Sequence, residues 1–200
     1  MKIVWLMALL LLGGCALFSG GHFPLATSNS EYSLLVAQQQ WRVHRDGKDY
    51  RLQTVVQINE RRWTLVFMDS LGQRLATLVQ DQGELALDIH KSHPLDRRWT
   101  ELAESLQFIY WPLPDLRRQA GEGWTFSAAS GVRQVYFSGI LAGQVDYLDD
   151  NPWQGTARYA NNKSDLHLVI ESRQLRSHPR PPESLEESSG KDSPINSPIR

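Results

Sequence analysis

Between Ser33 and His90 apolar and polar residues alternate with a period of two, and each alternating run ends at a turn signal. A period of two puts successive side chains on opposite faces of a strand. Leu35, Ala37, Gln39, Trp41 and Val43 share one face; Leu34, Val36, Gln38, Gln40 and Arg42 share the other. Runs of the same kind follow from Arg51 to Ile58, Arg62 to Met68, Arg74 to Gln80 and Glu84 to His90. Asp46-Gly47-Lys48, Asn59-Glu60-Arg61, Asp69-Ser70-Leu71-Gly72 and Asp81-Gln82-Gly83 separate them. Such short Gly/Asn/Asp turns join antiparallel neighbours, so this half of the chain is expected to be a meander.

The period then changes. From Asp96 to Tyr110, Trp99, Leu102, Leu106, Ile109 and Tyr110 fall on one helical face, with Arg97, Arg98, Glu101 and Glu104 elsewhere. That spacing predicts an amphipathic helix. Pro94 precedes it, and Pro112 and Pro114 stop it; a short second helix is expected over Asp115 to Ala120. Strands resume at 123–128, 133–138, 140–148, 156–159 and 166–174. The expected class is mainly β with a helical plug (α+β): about ten strands in one curved antiparallel sheet, covered by one or two helices. Val55/Val56, Trp63 to Met68 and Val135 to Phe137 are apolar on both faces, so the side away from the helix calls for a second layer or a lipid-like occupant.

The ends read differently. Lys2 followed by the apolar run Ile3 to Leu12 has the form of a secretory signal peptide over residues 1–14. The run is too short to span a bilayer, which takes about 20 apolar residues. Leu12-Gly13-Gly14-Cys15 resembles the bacterial lipoprotein box, and Cys15 is the only cysteine. The resemblance implies S-diacylglycerol and N-acyl groups on Cys15. Ala16 stands where an Asp would retain such a protein at the inner membrane. The expected place is therefore the periplasmic face of the outer membrane, with the bilayer as partner. Residues 15–30 read as a lipidated tether, 31–175 as the folded domain, and 176–200 as a Pro/Ser/Glu-rich disordered tail.

A net charge of −1 argues against nucleic acid as a partner, and one cysteine leaves no disulfide framework. No catalytic or metal constellation stands out. His90-x-x-His93 lacks a third ligand beside Pro94. Asp146, Asp149 and Asp150 lack the spacing of a calcium loop. There is no Gly-x-Ser-x-Gly elbow, and no Gly-rich loop opens a helix. A non-enzymatic protein without cofactor is expected. Trp41, Trp63, Trp99, Trp111, Trp124 and Trp153 fit core packing first and a ligand cavity second. Arg61-Arg62 and Arg97-Arg98 fit solvated charge first and anionic headgroups second.

The lipoprotein box, the meander, the interrupting helix and the return to strands together resemble the LolA/LolB lipoprotein-carrier fold, an open half-barrel with helices in its mouth. The run Trp63-Thr-Leu-Val-Phe-Met-Asp-Ser-Leu-Gly-Gln-Arg-Leu-Ala-Thr-Leu78 and the helix ending Phe108-Ile-Tyr-Trp-Pro-Leu-Pro114 are most similar to a related family of uncharacterised outer-membrane lipoproteins linked to aryl-polyene or fatty-acid-type lipid synthesis. The resemblance implies a protein that binds or transfers a lipid, lipoprotein or lipid-linked product, with an acyl or polyene chain as ligand and a periplasmic carrier or envelope complex as partner. Trp63, Leu65, Phe67, Trp99, Leu102, Leu106 and Ile109 would line the cavity and its lid. Leu71 matches the exposed apolar turn residue by which the LolB receptor touches the membrane; the alternative is that Leu71 folds back over the strand ends beside an Asp69–Arg74 pair. The rival function is a lipidated accessory subunit with a closed core.

Overall fold

A computed structural model of the chain describes residues 23–26, 29–59 and 61–180. The expected signal peptide, Cys15 and the tail beyond residue 180 lie outside them. The strands are β1 (Tyr32–Arg45), β2 (Lys48–Asn59), β3 (Arg62–Met68), β4 (Arg74–Asp81), β5 (Glu84–Ile89), β6 (Trp124–Ala129), β7 (Val132–Phe137), β8 (Ile140–Tyr147), β9 (Thr156–Asn161) and β10 (Leu166–Pro179). They form one 10-stranded antiparallel sheet in the order β5-β4-β3-β2-β1-β10-β9-β8-β7-β6. The two ends of the domain's chain therefore pair at its centre, and β5 and β6 are edges that do not meet. The sheet is open, with two helices, as expected of a covered half-barrel.

This topology dictates where the helices go. The chain leaves the sheet at one edge, β5, and rejoins it at the other, β6, so the segment between must cross a face. It does so as a 3-10 turn at Asp96–Arg98, then α1 (Trp99–Tyr110) and α2 (Leu113–Gln119). Pro112 forces Trp111 into an extended conformation and ends α1. α2 begins two residues before the expected Asp115, because Pro114 is tolerated in a first helical turn, where its missing N–H has no helical partner anyway.

The buried faces follow the sequence period. Leu35, Ala37, Trp41 and Val43 of β1, Leu52, Val56 and Ile58 of β2, and Trp63, Leu65 and Phe67 of β3 all point at α1 and are buried. On the opposite side Val55 faces Val66 directly across the β2–β3 pair, and both are half-buried. Cross-strand contact supplies their partial cover.

Two further boundaries differ from expectation. β10 continues through Pro179, past the boundary expected at 175, because β1 offers it a partner as far as Tyr32. The register shifts between Val36 and Ala37, which bends this long central pair. The second correction is the tether. Phe23 and Ala26 are buried in the core rather than free of it. Gln107 explains the capture of Ala26: its Oε1 accepts the Ala26 N–H at 2.8 Å and its Nε2 donates to the Ala26 carbonyl at 3.2 Å. Trp63 Nε1 donates to the same carbonyl at 2.7 Å, and the Ser30 N–H donates to Asp115 Oδ2 at 2.6 Å. A short backbone segment with no strand to join is thus satisfied by buried side chains.

Candidate functional site

The side chains expected to wall a cavity form a closed core instead. Trp63, Leu65, Phe67, Trp99, Leu102, Leu106 and Ile109 are at most 1 % exposed. Ile109 also borders the cleft at the C-terminal end of the helix. The rings of this core are in contact: Phe67 lies 4.9 Å from Trp99 and 5.7 Å from Trp41, and Trp63 lies 5.9 Å from Trp111. Over this half of the sheet α1 is keyed into place and does not roof a hollow.

α1 is also pinned at both ends. At its start Glu101 accepts from Arg45 Nη1 (2.8 Å), Ser164 Oγ (2.6 Å) and Asn161 Nδ2 (3.3 Å), tying the helix to β1 and to the β9–β10 turn. At its end Arg133 Nη1 donates to the carbonyls of Phe108 (2.7 Å), Ile109 (3.3 Å) and Trp111 (2.8 Å). Tyr147 Oη also donates to the Ile109 carbonyl. These carbonyls lack helical partners, and a cation there complements the helix dipole. Burial lowers the Arg133 pKa. Tyr110 Oη meets Ser172 Oγ at 2.6 Å, and Gln39 Nε2 donates to that same oxygen at 3.0 Å. The sequence places Glu101 off the apolar helical face; its role depends on residues far away in the chain.

Two clefts flank α1. The larger, about 510 Å³, lies at its C-terminal end among Glu31, Tyr32, Arg133 and Asp149–Trp153. Its lining is predominantly polar. Its aromatic neighbours Tyr110, Trp111 and Trp153 are buried in their own packing, and Arg133 is committed to helix carbonyls. The smaller, about 240 Å³, opens between α1 and strands β6, β8 and β9, and its wall is mostly apolar. Phe108, Trp124, Tyr159 and Ala142 form that wall, and Arg97, Arg98 and Lys163 form its rim with Glu101 and Glu104. Gly143 lets the Tyr159 ring lie flat on β8, since a Cβ there would come within 2.8 Å of it. The Lys163 ammonium sits over the rings of Phe137 (4.0 Å) and Trp124 (4.8 Å). Desolvation lowers its pKa. Glu101 pairs with Arg45 at 2.8 Å and with Arg98 at 3.7 Å, and the charge of Glu104 acts on Lys163, so the rim sets three cations against two carboxylates, one of which is shared with Arg45.

The smaller cleft shares an end of the sheet with two exposed apolar turns. Strand direction alternates, so the β3–β4, β7–β8 and β9–β10 turns and the start of α1 lie together. Leu71 in the first turn is 81 % exposed and Ile140 after the second is 71 % exposed. Leu71 does not fold back. Gly72 supplies the positive φ of 77° that the turn requires. Asp69 Oδ1 accepts the N–H groups of Leu71 and Gln73, both at 2.9 Å, and Asp69 pairs with Lys91 rather than Arg74. The Gln73 backbone hydrogen bond holds the Asp69 pKa below its usual value; desolvation opposes it, and the Leu71 N–H and the Lys91 ammonium add to the lowering.

Of the other candidates, His93 packs between Tyr50 and Trp99, and its Nδ1 accepts the Leu95 N–H at 3.2 Å. Burial lowers its pKa, consistent with a neutral acceptor ring. Among the described residues no group of three or more His, Cys, Asp or Glu side chains could hold a metal. Also among them, no helix is long and apolar enough to cross a membrane.

The fold and clefts define a non-closing antiparallel sheet wrapped over a fixed helix, with an apolar recess at one end. The chain belongs to the family described as "Protein of unknown function (DUF3261)", whose model matches residues 36–174. No curated protein matches it.

Proposed function

We propose that the protein is a lipoprotein of the outer membrane, held at its periplasmic face through acylated Cys15, that takes up the acyl end of an anionic amphiphile or lipid-linked product in the cleft beside α1. The observation that carries this reading is the coincidence of ring wall and cationic rim: Phe108, Trp124 and Tyr159 below, Arg97, Arg98 and Lys163 above. Leu71 and Ile140, exposed at the same end, would dip into the headgroup region and bring the cleft mouth to the lipid. The recess shifts the LolB-like idea from beneath α1 to its flank.

Magnitude favours handover over storage. Burying about 150 Å² of hydrocarbon contributes roughly 4 kcal/mol at ~25 cal/mol per Å². Ordering the ligand offsets much of that, and a bilayer offers the same burial. Such a site releases readily.

Anchor geometry agrees. Phe23 is eight residues past Cys15 in the sequence. A fully extended chain spans at most ~3.5 Å per residue, so the anchor keeps Phe23 within about 28 Å of its own attachment point. Phe23 in turn packs on Trp124, a wall of the cleft.

Two variants test the reading in the full chain held in neutral-lipid nanodiscs, titrated with a brominated fatty acid that quenches tryptophan on contact. Ala142→Trp fills the cleft and is expected to abolish saturable quenching. Lys163→Glu reverses one rim charge and is expected to weaken binding about tenfold, less at high salt. Unchanged quenching in both variants contradicts the site. Cys15→Ala is expected to abolish palmitate labelling in cells; labelling that persists contradicts the anchor.

The second reading, a lipidated accessory subunit, is favoured by the filled interface between α1 and β1–β4 and by the pinning of the helix at both ends. It predicts no saturable quenching in the wild type.

A further inference from the structure

β5 is an edge strand, and all of Glu84–Ile89 is exposed. Its hydrogen bonding is one-sided. The His90 N–H donates to the Leu75 carbonyl at 2.8 Å, in the same register that pairs Asp88 with Thr77 and Ala86 with Val79. The N–H and C=O of one strand residue point the same way. Even-numbered residues therefore bond β4, and Leu85, Leu87 and Ile89 turn their backbone groups outward.

The side chains of these same residues lie on the concave face, because they stand opposite Gln80, Leu78 and Ala76, which are buried. Leu85 and Leu87 are each 40 % exposed and Ile89 is 46 % exposed. Natural edges are usually blunted by proline, lysine or a bulge. Glu84–Ile89 contains neither residue, and its pairing with β4 shows no register shift. The other edge is guarded: Arg117, on α2, donates to the Phe126 carbonyl of β6 at 3.2 Å.

We propose that β5 pairs antiparallel with β5 of a second copy of this chain, about a twofold axis at Leu87. In that register Leu87 opposes the partner's Leu87, and Leu85 opposes the partner's Ile89. These are the residues with outward backbone groups, so the pairing forms about six hydrogen bonds. All the opposed concave side chains are apolar. On the convex side Glu84 meets the partner's His90, and Ala86 meets the partner's Asp88. Charge selects this register. A slip of two residues one way sets Glu84 against the partner's Asp88, and a slip the other way sets Asp88 against the partner's Asp88. Like charges directly opposed destabilise a strand pair. The two open sheets become one continuous sheet with its exposed apolar stripe covered.

The test is sedimentation equilibrium of the full chain in detergent over a concentration series, with the detergent's buoyant mass matched out. A reversible dimer is expected for the wild type. Leu87→Glu opposes two carboxylates at the axis, and Leu87→Pro removes an outward N–H without breaking a bond to β4. Both are expected to weaken dimerisation at least tenfold while leaving the thermal transition of the monomer in place. A wild-type chain that stays monomeric throughout, or a dimer that persists in both variants, overturns the proposal.

Discussion

Truncating Phe23 to alanine is expected to lower the unfolding free energy by about 3–5 kcal/mol, the usual cost of emptying a buried phenylalanine site. The ring is buried and meets Phe108, Trp124 and Phe126 edge-on at 4.9, 5.4 and 5.7 Å. The void would sit between α1 and β6, elements already fixed by other contacts, so collapse can recover little of it. Urea denaturation of the full chain measures the loss as a lower midpoint with an unchanged slope. A loss below about 1 kcal/mol would mean that this segment is a free tether.

Glu101→Ala is expected to cost a similar ~3–5 kcal/mol, for a different reason. Arg45 is buried, and Glu101 is the acceptor for its Nη1. Removing the carboxylate leaves the buried guanidinium with the exposed Asp46 carboxylate, 3.4 Å from its Nε, as its remaining countercharge, and takes the acceptor from Ser164 Oγ and Asn161 Nδ2. Attraction alone does not make the pair valuable, because desolvating both ions offsets most of it. The double variant Arg45→Met with Glu101→Leu is therefore expected to be markedly more stable than Glu101→Ala alone. Denaturation midpoints of the three chains decide this; a Glu101→Ala chain within 1 kcal/mol of wild type would show that the latch is solvated.

What was legible in the sequence is what local pattern dictates. The period of two places Leu52, Val56 and Ile58 inward, and the change to helical spacing places Leu102, Leu106 and Ile109 against them. Turn chemistry located the hairpins, and Gly47, Gly72 and Gly83 within those turns take a positive φ. Three things were not legible. Phe23 and Ala26 lie in a Gly/Ser-rich stretch without periodicity, and what holds them is distant in sequence: the rings of Phe108, Trp124 and Phe126 around Phe23, and Gln107 and Trp63 on the Ala26 backbone. Glu101 occupies a polar helical position, and its partners are 56 to 63 residues distant. The recess beside α1 is built from Phe108, which lies off the predicted apolar helical face, and Tyr159, and it depends on Gly143 accommodating a ring. Pattern marks which face is apolar; it does not tell whether facing side chains fill the space between layers.

The most direct measurement is photo-crosslinking of the full chain in lipid nanodiscs with a fatty acid bearing a diazirine at the end of its chain, followed by peptide mapping by mass spectrometry. Adducts concentrated on Phe108, Trp124 and Tyr159, and lost in Ala142→Trp, are the predicted result. Adducts confined to the outer face of the sheet or to the polar cleft near Arg133, or no adducts at all, would contradict amphiphile binding beside α1.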